Sequence, residues 1–385
     1  MADCHLGAWS DQPELRALGL SSFEKAIDIC IKRNVAFILI SGDLFNTAIP
    51  SIEILKSTAS TLNKAKESHI DIYIIPGSHD FSASGKTMLD VLGEAGLLKN
   101  VTSTDTFTID KTSTKLIGIM GLRGGLEKEH YSSLNRQFLE AEQGFKIFLF
   151  HTAFDELKPK EMEKVPCMSS TELPDNFNYY AGGHVHYILE TRHKTGKLVY
   201  PGPLFPNNFK ELEELGHGGF YIIDDQLNTE YIPLKLKEIL PVTISSDQKT
   251  PEQIREEISR IQGFEDKILL FRIQGKMSSG SIADIDFREL FRNFESAYAV
   301  IKNTSKLTTK EMDEVVLHQA NIEDIESDAI KQALTNTNLF EQEEESIRNL
   351  VLCLNKEKQE GEKNTDFEKR VVSEAVKVLK LEGMI

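Results

Sequence analysis

Six side chains of the kind that bind divalent cations recur in a fixed order along the 385 residues. They are Asp3 and His5 in ADCHLG, Asp43 in SGDLF, His151 in FLFHTAF, and His184 and His186 in GGHVH. Four of the ten histidines thus fall in short motifs that are glycine-flanked or end a strand, in company with two aspartates. Imidazole and carboxylate together suit borderline ions such as manganese or zinc. A further motif, PGSHD at residues 76–80, adds His79 and Asp80 to the same set.

The chemistry such a set can perform is phosphodiester hydrolysis. That reaction needs charge neutralised on the phosphoryl oxygens, hydroxide near neutral pH and a stabilised leaving oxygen. Two divalent ions about 3.5–4 Å apart meet all three needs. Asp43, central in the order, is the expected bridging carboxylate; Asp3, His5 and His186 would complete one ion, and His151 and His184 the other. Asp-x-His and His-x-His fit because a tight strand-to-loop turn can aim alternate side chains into one cleft. His79 would be the general acid or transition-state stabiliser, oriented by Asp80. Each motif alone is weak, since a Gly-Asp after a strand is commonly a turn whose Asp caps the next helix. The specificity lies in five motifs in one order, each after an expected strand.

Those strands are legible in the hydrophobic pattern. Residues 21–34 read as an amphipathic helix on Phe23, Ala26, Ile27 and Ile31, followed by an apolar strand over 35–40 that runs into Gly42 and Asp43. A helix over 52–68 leads to a strand over 70–75, which ends at Gly77–Asp80. Further strands are expected at 115–120, 145–150 and 179–181, the last two ending at His151 and Gly182. In α/β folds ligands collect at the carboxyl ends of strands, where all these motifs lie. Shorter strands follow at 198–200, 219–223 and 230–233.

After Pro241 a strand, a helix over 251–261, a strand over 268–273, a helix over 284–294 and a strand over 298–301 predict a compact α+β unit. Beyond about residue 320 the chain is charged and helical, with 356–365 as a flexible link. Residues 366–381 place Phe367, Val371, Val372, Ala375, Val376 and Leu379 on one stripe. That stripe either packs on its own domain or docks on a partner's helices. The expected organisation is an α/β domain carrying the motifs over 1–237, a small α+β domain over 238–310 and a charged helical segment over 311–385.

Composition narrows the setting. Hydrophobic residues make up 40%, enough for a full globular core in a chain of two-domain length. The four cysteines, Cys4, Cys30, Cys167 and Cys353, include no CxxC pair, so neither a disulfide framework nor a zinc ribbon is indicated. A reducing cytoplasm is the expected location, without a membrane span or a signal peptide. A formal net charge of −16 argues, taken alone, against nucleic acid. Much of that acid lies after residue 310, while Arg123, Lys158, Lys160, Lys164, Arg192, Lys194 and Lys197 lie nearer the motifs. These cations read equally as scattered surface charge or as a patch that tracks DNA.

On the motifs ADCHLGAW (2–9), SGDLF (41–45), PGSHD (76–80), FHTAF (150–154), GGHVH (182–186) and YPGP (200–203), the chain resembles the calcineurin-like metallophosphoesterases. Within them it is most similar to the SbcD and Mre-eleven family of DNA double-strand-break repair nucleases. The resemblance covers roughly residues 1–235 and extends by architecture to a capping domain near 240–305. It implies an α/β, two-sheet sandwich flanked by helices, with a small α+β capping domain and C-terminal helices. It also implies a manganese-dependent exonuclease and endonuclease with two divalent ions. The partners it implies are DNA, a second copy in a homodimer and a coiled-coil ATPase of the SbcC or Rad-fifty type, with a nucleoid-associated place in the cytoplasm.

Three departures from the family pattern stand out. The family's PGNHD reads PGSHD here, so Ser78 replaces an asparagine that ligates the second ion through its carbonyl, and that ion is expected to bind more weakly or to complete its shell with an extra water. Asn46 stands where histidine is frequent and is assigned no catalytic role; Pro203 stands where serine is common. Finally, Asp3 should follow a central apolar strand, yet only Met1 and Ala2 precede it. Losing such a strand would expose core and free sheet edges, so translation is expected to start upstream or the chain to be truncated. Two alternatives compete with the nuclease: a catalytically weakened subunit that binds DNA ends or scaffolds, and a phosphoesterase acting on small nucleotides.

Overall fold

The computed structural model describes residues 1–81, 87–122, 127–158, 167–309, 350 and 364–378. The chain forms two compact units, one of Met1–Ser246, Pro251–Gly275 and Ala283–Leu307, the other of Asp247–Thr250, Lys276–Ile282 and Thr308–Ile385.

In the first unit, α1 (Pro13–Lys32), β1 (Phe37–Ser41), α2 (Ile52–Glu67), β2 (Asp71–Ile75), α3 (Met88–Glu94) and β3 (Lys99–Asn100) build a three-stranded parallel sheet in the order β1-β2-β3. Next come β4 (Thr108–Ile109), β5 (Lys115–Gly118), α4 (Glu127–Ser132), α5 (Arg136–Ala141), β6 (Lys146–His151), β7 (Tyr179–Gly183), β8 (Ile188–His193) and β9 (Gly196–Pro201). Their six strands form one sheet in the order β4-β5-β6-β7-β9-β8, parallel from β5 through β9 and antiparallel at both edges. The helix α6 (Phe209–Leu215) then leads to the antiparallel hairpin β10 (Gly218–Ile223) and β11 (Thr229–Leu234).

The period-two pattern of these strands makes the layers. Tyr73 and Ile75 of β2, Ile147 and Leu149 of β6, and Tyr179 and Ala181 of β7 point into one core between the two sheets, joined by Phe37 and Leu39 of β1. The alternate residues Ile38, Ile40, Ile72 and Ile74 face the opposite way, onto Phe23, Ile27 and Leu62 of α1 and α2. Phe148, Phe150, Tyr180, Leu198 and Tyr200 line the outer face of the six-stranded sheet, under Tyr131 and Leu139 of α4 and α5. The result is the expected sandwich with helices on both flanks.

A third sheet, β12 (Ile239–Ser245), β13 (Ile268–Lys276) and β14 (Ala299–Thr308), has the order β12-β13-β14, with β12 and β13 parallel across α7 (Pro251–Ser259). The expected helix over 284–294 is instead one short turn, α8 (Phe287–Leu290), between two 3-10 turns. Ile268 and Leu270 pack with Leu15, Leu18 and Leu212. That contact explains why α1 starts eight residues earlier than its most regular stripe, with Pro13 in the first turn.

The segment 1–6 runs beside the end of β1: Met1 O accepts from Ser41 N at 3.0 Å, and Asp3 N and His5 N donate to Gly42 O and Asp43 O at 3.1 and 2.9 Å. Asp3 is 0% exposed. A cavity of 740 Å³ separates Phe37–Leu39 from Phe220–Asp224, and Met1 lines it. In the second unit the described helix is α9 (Asn364–Val378), where Val372 is exposed. Residues 310–349, 351–363 and 379–385 lie outside the described residues, and with them most of the expected C-terminal segment and link, Cys353 and Leu379. Arg123, Lys160 and Lys164 lie outside them too. Among the described residues, Cys4, Cys30 and Cys167 form no disulfide, and no helix is long and apolar enough to cross a membrane.

Candidate metal centre

The loops that leave β1, β2, β6 and β7 at their carboxyl ends converge, with the segment 1–6, on one buried cluster. Asp3, His5, Asp43 and His184 all have positive φ, at 49°, 41°, 51° and 89°. L-residues avoid that region at a cost of about 1–3 kcal/mol each, and such strain concentrates at functional sites. Two glycines permit the crowding. A Cβ on Gly42 would lie 2.2 Å from Nδ1 of His151, and one on Gly77 would lie 2.2 Å from Oδ1 of Asp43.

The ligand-type atoms form three overlapping groups, each within 4.8 Å: Asp3, His5 and His186; His5, Asp43 and His79; Asp3, Asp43 and His151. Oδ2 of Asp43 lies 3.5 Å from Nε2 of His5 and 3.1 Å from Nε2 of His151. Oδ1 of Asp3 lies 3.6 Å from Nε2 of His186 and 4.0 Å from Nε2 of His151. Asp3, His5 and Asp43 each belong to two of these groups.

Three of the imidazoles are oriented by an oxygen behind them. Nδ1 of His151 donates to Ser41 O at 2.7 Å, and Nδ1 of His79 to Asn46 O at 2.8 Å. A carbonyl can only accept, so these contacts fix the tautomer and turn Nε2 inward. Nδ1 of His186 likewise lies 2.8 Å from Oε1 of Glu211.

His184 takes a different position. Its main-chain N–H donates to Asp3 at 2.9 Å, its ring stands edge-on to His151 with centroids 5.2 Å apart, and it joins none of the three groups. Ser78 is buried between His79 and Gly77. The contact expected to orient His79 from Asp80 comes instead from the Asn46 carbonyl. The Asp80 carboxylate is occupied by the N–H groups of Leu44, Phe45 and Gly77 at 3.1, 2.9 and 3.0 Å, so it bolts the β1 loop to the β2 loop.

The electrostatics follow from burial. Burial pushes the His5 imidazole down to about 4. Burial also opposes charge on His151, but the carboxylate of Asp43 outweighs it and lifts His151 to about 9. Asp43 itself would be raised by burial, yet His151 and then His5 hold its carboxyl well below the usual range. For Asp80, burial and the nearby Asp43 charge prevail over its three N–H donors and raise it to about 7.

These residues fit divalent cations. Nε2 of His5 and Nε2 of His186 face each other at 3.3 Å, where two lone pairs repel unless a proton or cation lies between them. Nε2 of His151 is buried and faces Oδ2 of Asp43 at 3.1 Å without hydrogen-bond geometry. Two buried carboxylates amid inward-turned imidazoles are a donor set for borderline divalent ions. Glu211 and Asn46 lie outside the motifs, and Ser41 opens SGDLF with nothing to mark its carbonyl as a partner. Main-chain acceptors leave no mark on residue type, and Glu211 lies 25 residues beyond His186 in an acidic run that reads as solvated surface.

Residues 1–187 match the family profile of the calcineurin-like phosphoesterases. The chain is 26% identical over 379 residues to the "DNA double-strand break repair protein Mre11" of Methanococcus maripaludis, covering 90% of this chain and 96% of that protein. It is 25% identical over 291 residues to the protein of the same name in Methanocaldococcus jannaschii, covering 70% of this chain and 74% of the relative. A third, from Thermoplasma acidophilum, is 26% identical over 300 residues, covering 73% and 77%. With the sandwich and the cluster of Asp3, His5, Asp43, His151 and His186 in place, residues 1–187 carry a calcineurin-like phosphoesterase domain, in a chain similar over most of its length to proteins named Mre11.

Proposed function

We propose that this chain is the nuclease subunit of a DNA double-strand-break repair complex, a metal-dependent phosphodiesterase with exonuclease and endonuclease action. The observation that carries the reading is the match to one Mre11 relative over 90% of the chain, together with the buried cluster at the strand ends. Two divalent ions, with manganese as the working metal, supply Lewis-acid charge and a hydroxide at neutral pH when bound.

Asp3, His5 and His186 would hold one ion; His151, His184 and Ser78 would hold the other, with Asp43 shared. His79, fixed through its Nδ1 by Asn46 O, presents Nε2 to the cleft and is placed to give a proton to the leaving oxygen. Asp80 serves the reaction by holding Leu44, Phe45 and Gly77 in register, which keeps Asp43 and His79 together. His79 N–H in turn grips Oδ1 of Asp43 at 2.8 Å, leaving Oδ2 to the imidazoles. The working assembly is a homodimer bound to a coiled-coil ATPase of the SbcC or Rad-fifty type, docked through the C-terminal segment that includes α9.

The test is manganese-dependent degradation of end-labelled linear duplex DNA by the full chain, alone and with the ATPase, beside a His79→Ala control. Degradation abolished by His79→Ala supports a working nuclease. Hydrolysis of nucleotides without attack on duplex DNA would replace the reading with a small-nucleotide phosphoesterase. Inertness toward both, with DNA ends still bound, would leave a weakened scaffold subunit.

A further inference from the structure

The carboxylate of Glu211 touches His186 from outside the cluster, and no motif contains it. It sits in the first turn of α6, where its main-chain N–H and both carboxylate oxygens have partners. Asn208 caps the helix, its Oδ1 accepting from Glu211 N at 3.0 Å. Oε2 of Glu211 accepts from Asn207 N at 2.8 Å, and Oε1 meets His186 Nδ1 at 2.8 Å. Oε1 also accepts from Nδ2 of the cap Asn208, so main chain or cap holds both carboxylate oxygens, and the side chain is 13% exposed.

The helix is itself anchored. Leu212 is fully buried beside Ile268 and Leu270, and Arg272 of β13 grips Glu213 through Nε at 2.8 Å to Oε1 while its guanidinium lies 5.0 Å over the Phe209 ring. A forked guanidinium–carboxylate pair fixes orientation as well as distance. Position and direction of the Glu211 carboxylate are therefore set by the third sheet rather than by the loop that carries His186.

We propose that Glu211 is a positioning residue for the metal-holding His186. It fixes the proton on Nδ1 and turns Nε2 toward Asp3 and His5, through a helix strapped to the sheet of β12–β14. The inference rests on the reading of this cluster as a metal centre. An anionic partner on the outer nitrogen also makes the inner nitrogen a stronger donor, and loss of such partners weakens metal binding about 10–100-fold.

The test is titration of the metal-free full chain with Mn²⁺, without DNA, by calorimetry and by the loss of free-ion EPR signal, for the unmodified protein and for Glu211→Ala and Glu211→Gln. Expected are two ions in the unmodified protein, one of them weakened about 10–100-fold in Glu211→Ala and partly restored in Glu211→Gln, which keeps an acceptor but not the charge. Nitrogen-15 shifts of His186 in the metal-free state should show Nδ1–H in the unmodified protein and a mixed tautomer in Glu211→Ala. Unchanged affinity for both ions in Glu211→Ala, or an unchanged tautomer, overturns the proposal and leaves Glu211 as a helix cap alone. Failure of the unmodified protein to bind Mn²⁺ would instead bring down the metal-centre reading itself.

Discussion

Oδ2 of Asp43 lies 3.1 Å from Nε2 of His151, two buried groups brought together from the ends of two strands in different sheets. The contact joins the β1 loop to the end of β6, and the sandwich must be assembled before it exists. Asp43→Asn keeps the shape and the acceptor for His79 N–H but removes the charge that the imidazoles and any cation share. Metal-dependent hydrolysis should fall by about 10³-fold or more, with Mn²⁺ binding weakened in calorimetry. Activity within tenfold of the unmodified protein would show that Asp43 is not the shared ligand.

His79 occupies two geometric roles, since its ring belongs to a ligand-type group with His5 and Asp43 while its Nδ1 is tied to Asn46 O. If it works as a proton donor, His79→Ala should cost about 10²–10⁴-fold in turnover while Mn²⁺ affinity stays within a few-fold. Parallel loss of turnover and metal affinity would move His79 into the ligand set. Measuring both quantities on one preparation decides between them.

The residues that make the cluster were legible because the fold places them by rule. Apolar runs at 35–40, 70–75 and 145–150 announce strands, and Asp43, His79 and His151 follow them closely, the first two just after a glycine turn. Their contacts behind the imidazoles were not legible. Ser41 O and Asn46 O are backbone atoms, and Glu211 reaches His186 only because α6 is packed against Ile268 and Leu270 of a later sheet. The same distance effect hid the first turns of α1, whose Leu15 and Leu18 are apolar for contacts with residues some 250 positions on. Asp80 illustrates a third limit: adjacency to His79 in sequence pointed to His79 as its partner, whereas the turn directs its carboxylate onto three main-chain N–H groups.

Ser78 is buried next to His79 and is proposed to face the second ion. A hydroxyl on a one-carbon stem reaches less far than a carboxamide oxygen and donates electron density less well. Ser78→Asn should therefore tighten the weaker of two Mn²⁺ binding steps about tenfold or more and raise the rate at limiting metal, with little change at saturating metal. Equal binding isotherms for the two proteins would show that Ser78 needs no help from its side chain.

Away from the site, Asp110 links acid stability to the inter-sheet core. Its carboxylate is 3% exposed and accepts from Tyr73 Oη and Thr112 N, both at 2.8 Å. Burial would raise its pKa, but the bonds from Thr112 and Tyr73 prevail and hold the carboxyl below its usual range. A carboxyl depressed in the folded state stabilises the fold fully above its unfolded pKa, about 3.9, and that stability is lost as pH falls through the folded value. Asp110→Asn resembles the protonated acid at every pH. It should lower urea-unfolding stability by about 1–2 kcal/mol at pH 7, where the native group is charged, and the gap should close as pH drops below about 4. A gap of the same size at pH 7 and pH 3 would mean that the loss comes from altered packing under Tyr73 rather than from the charge.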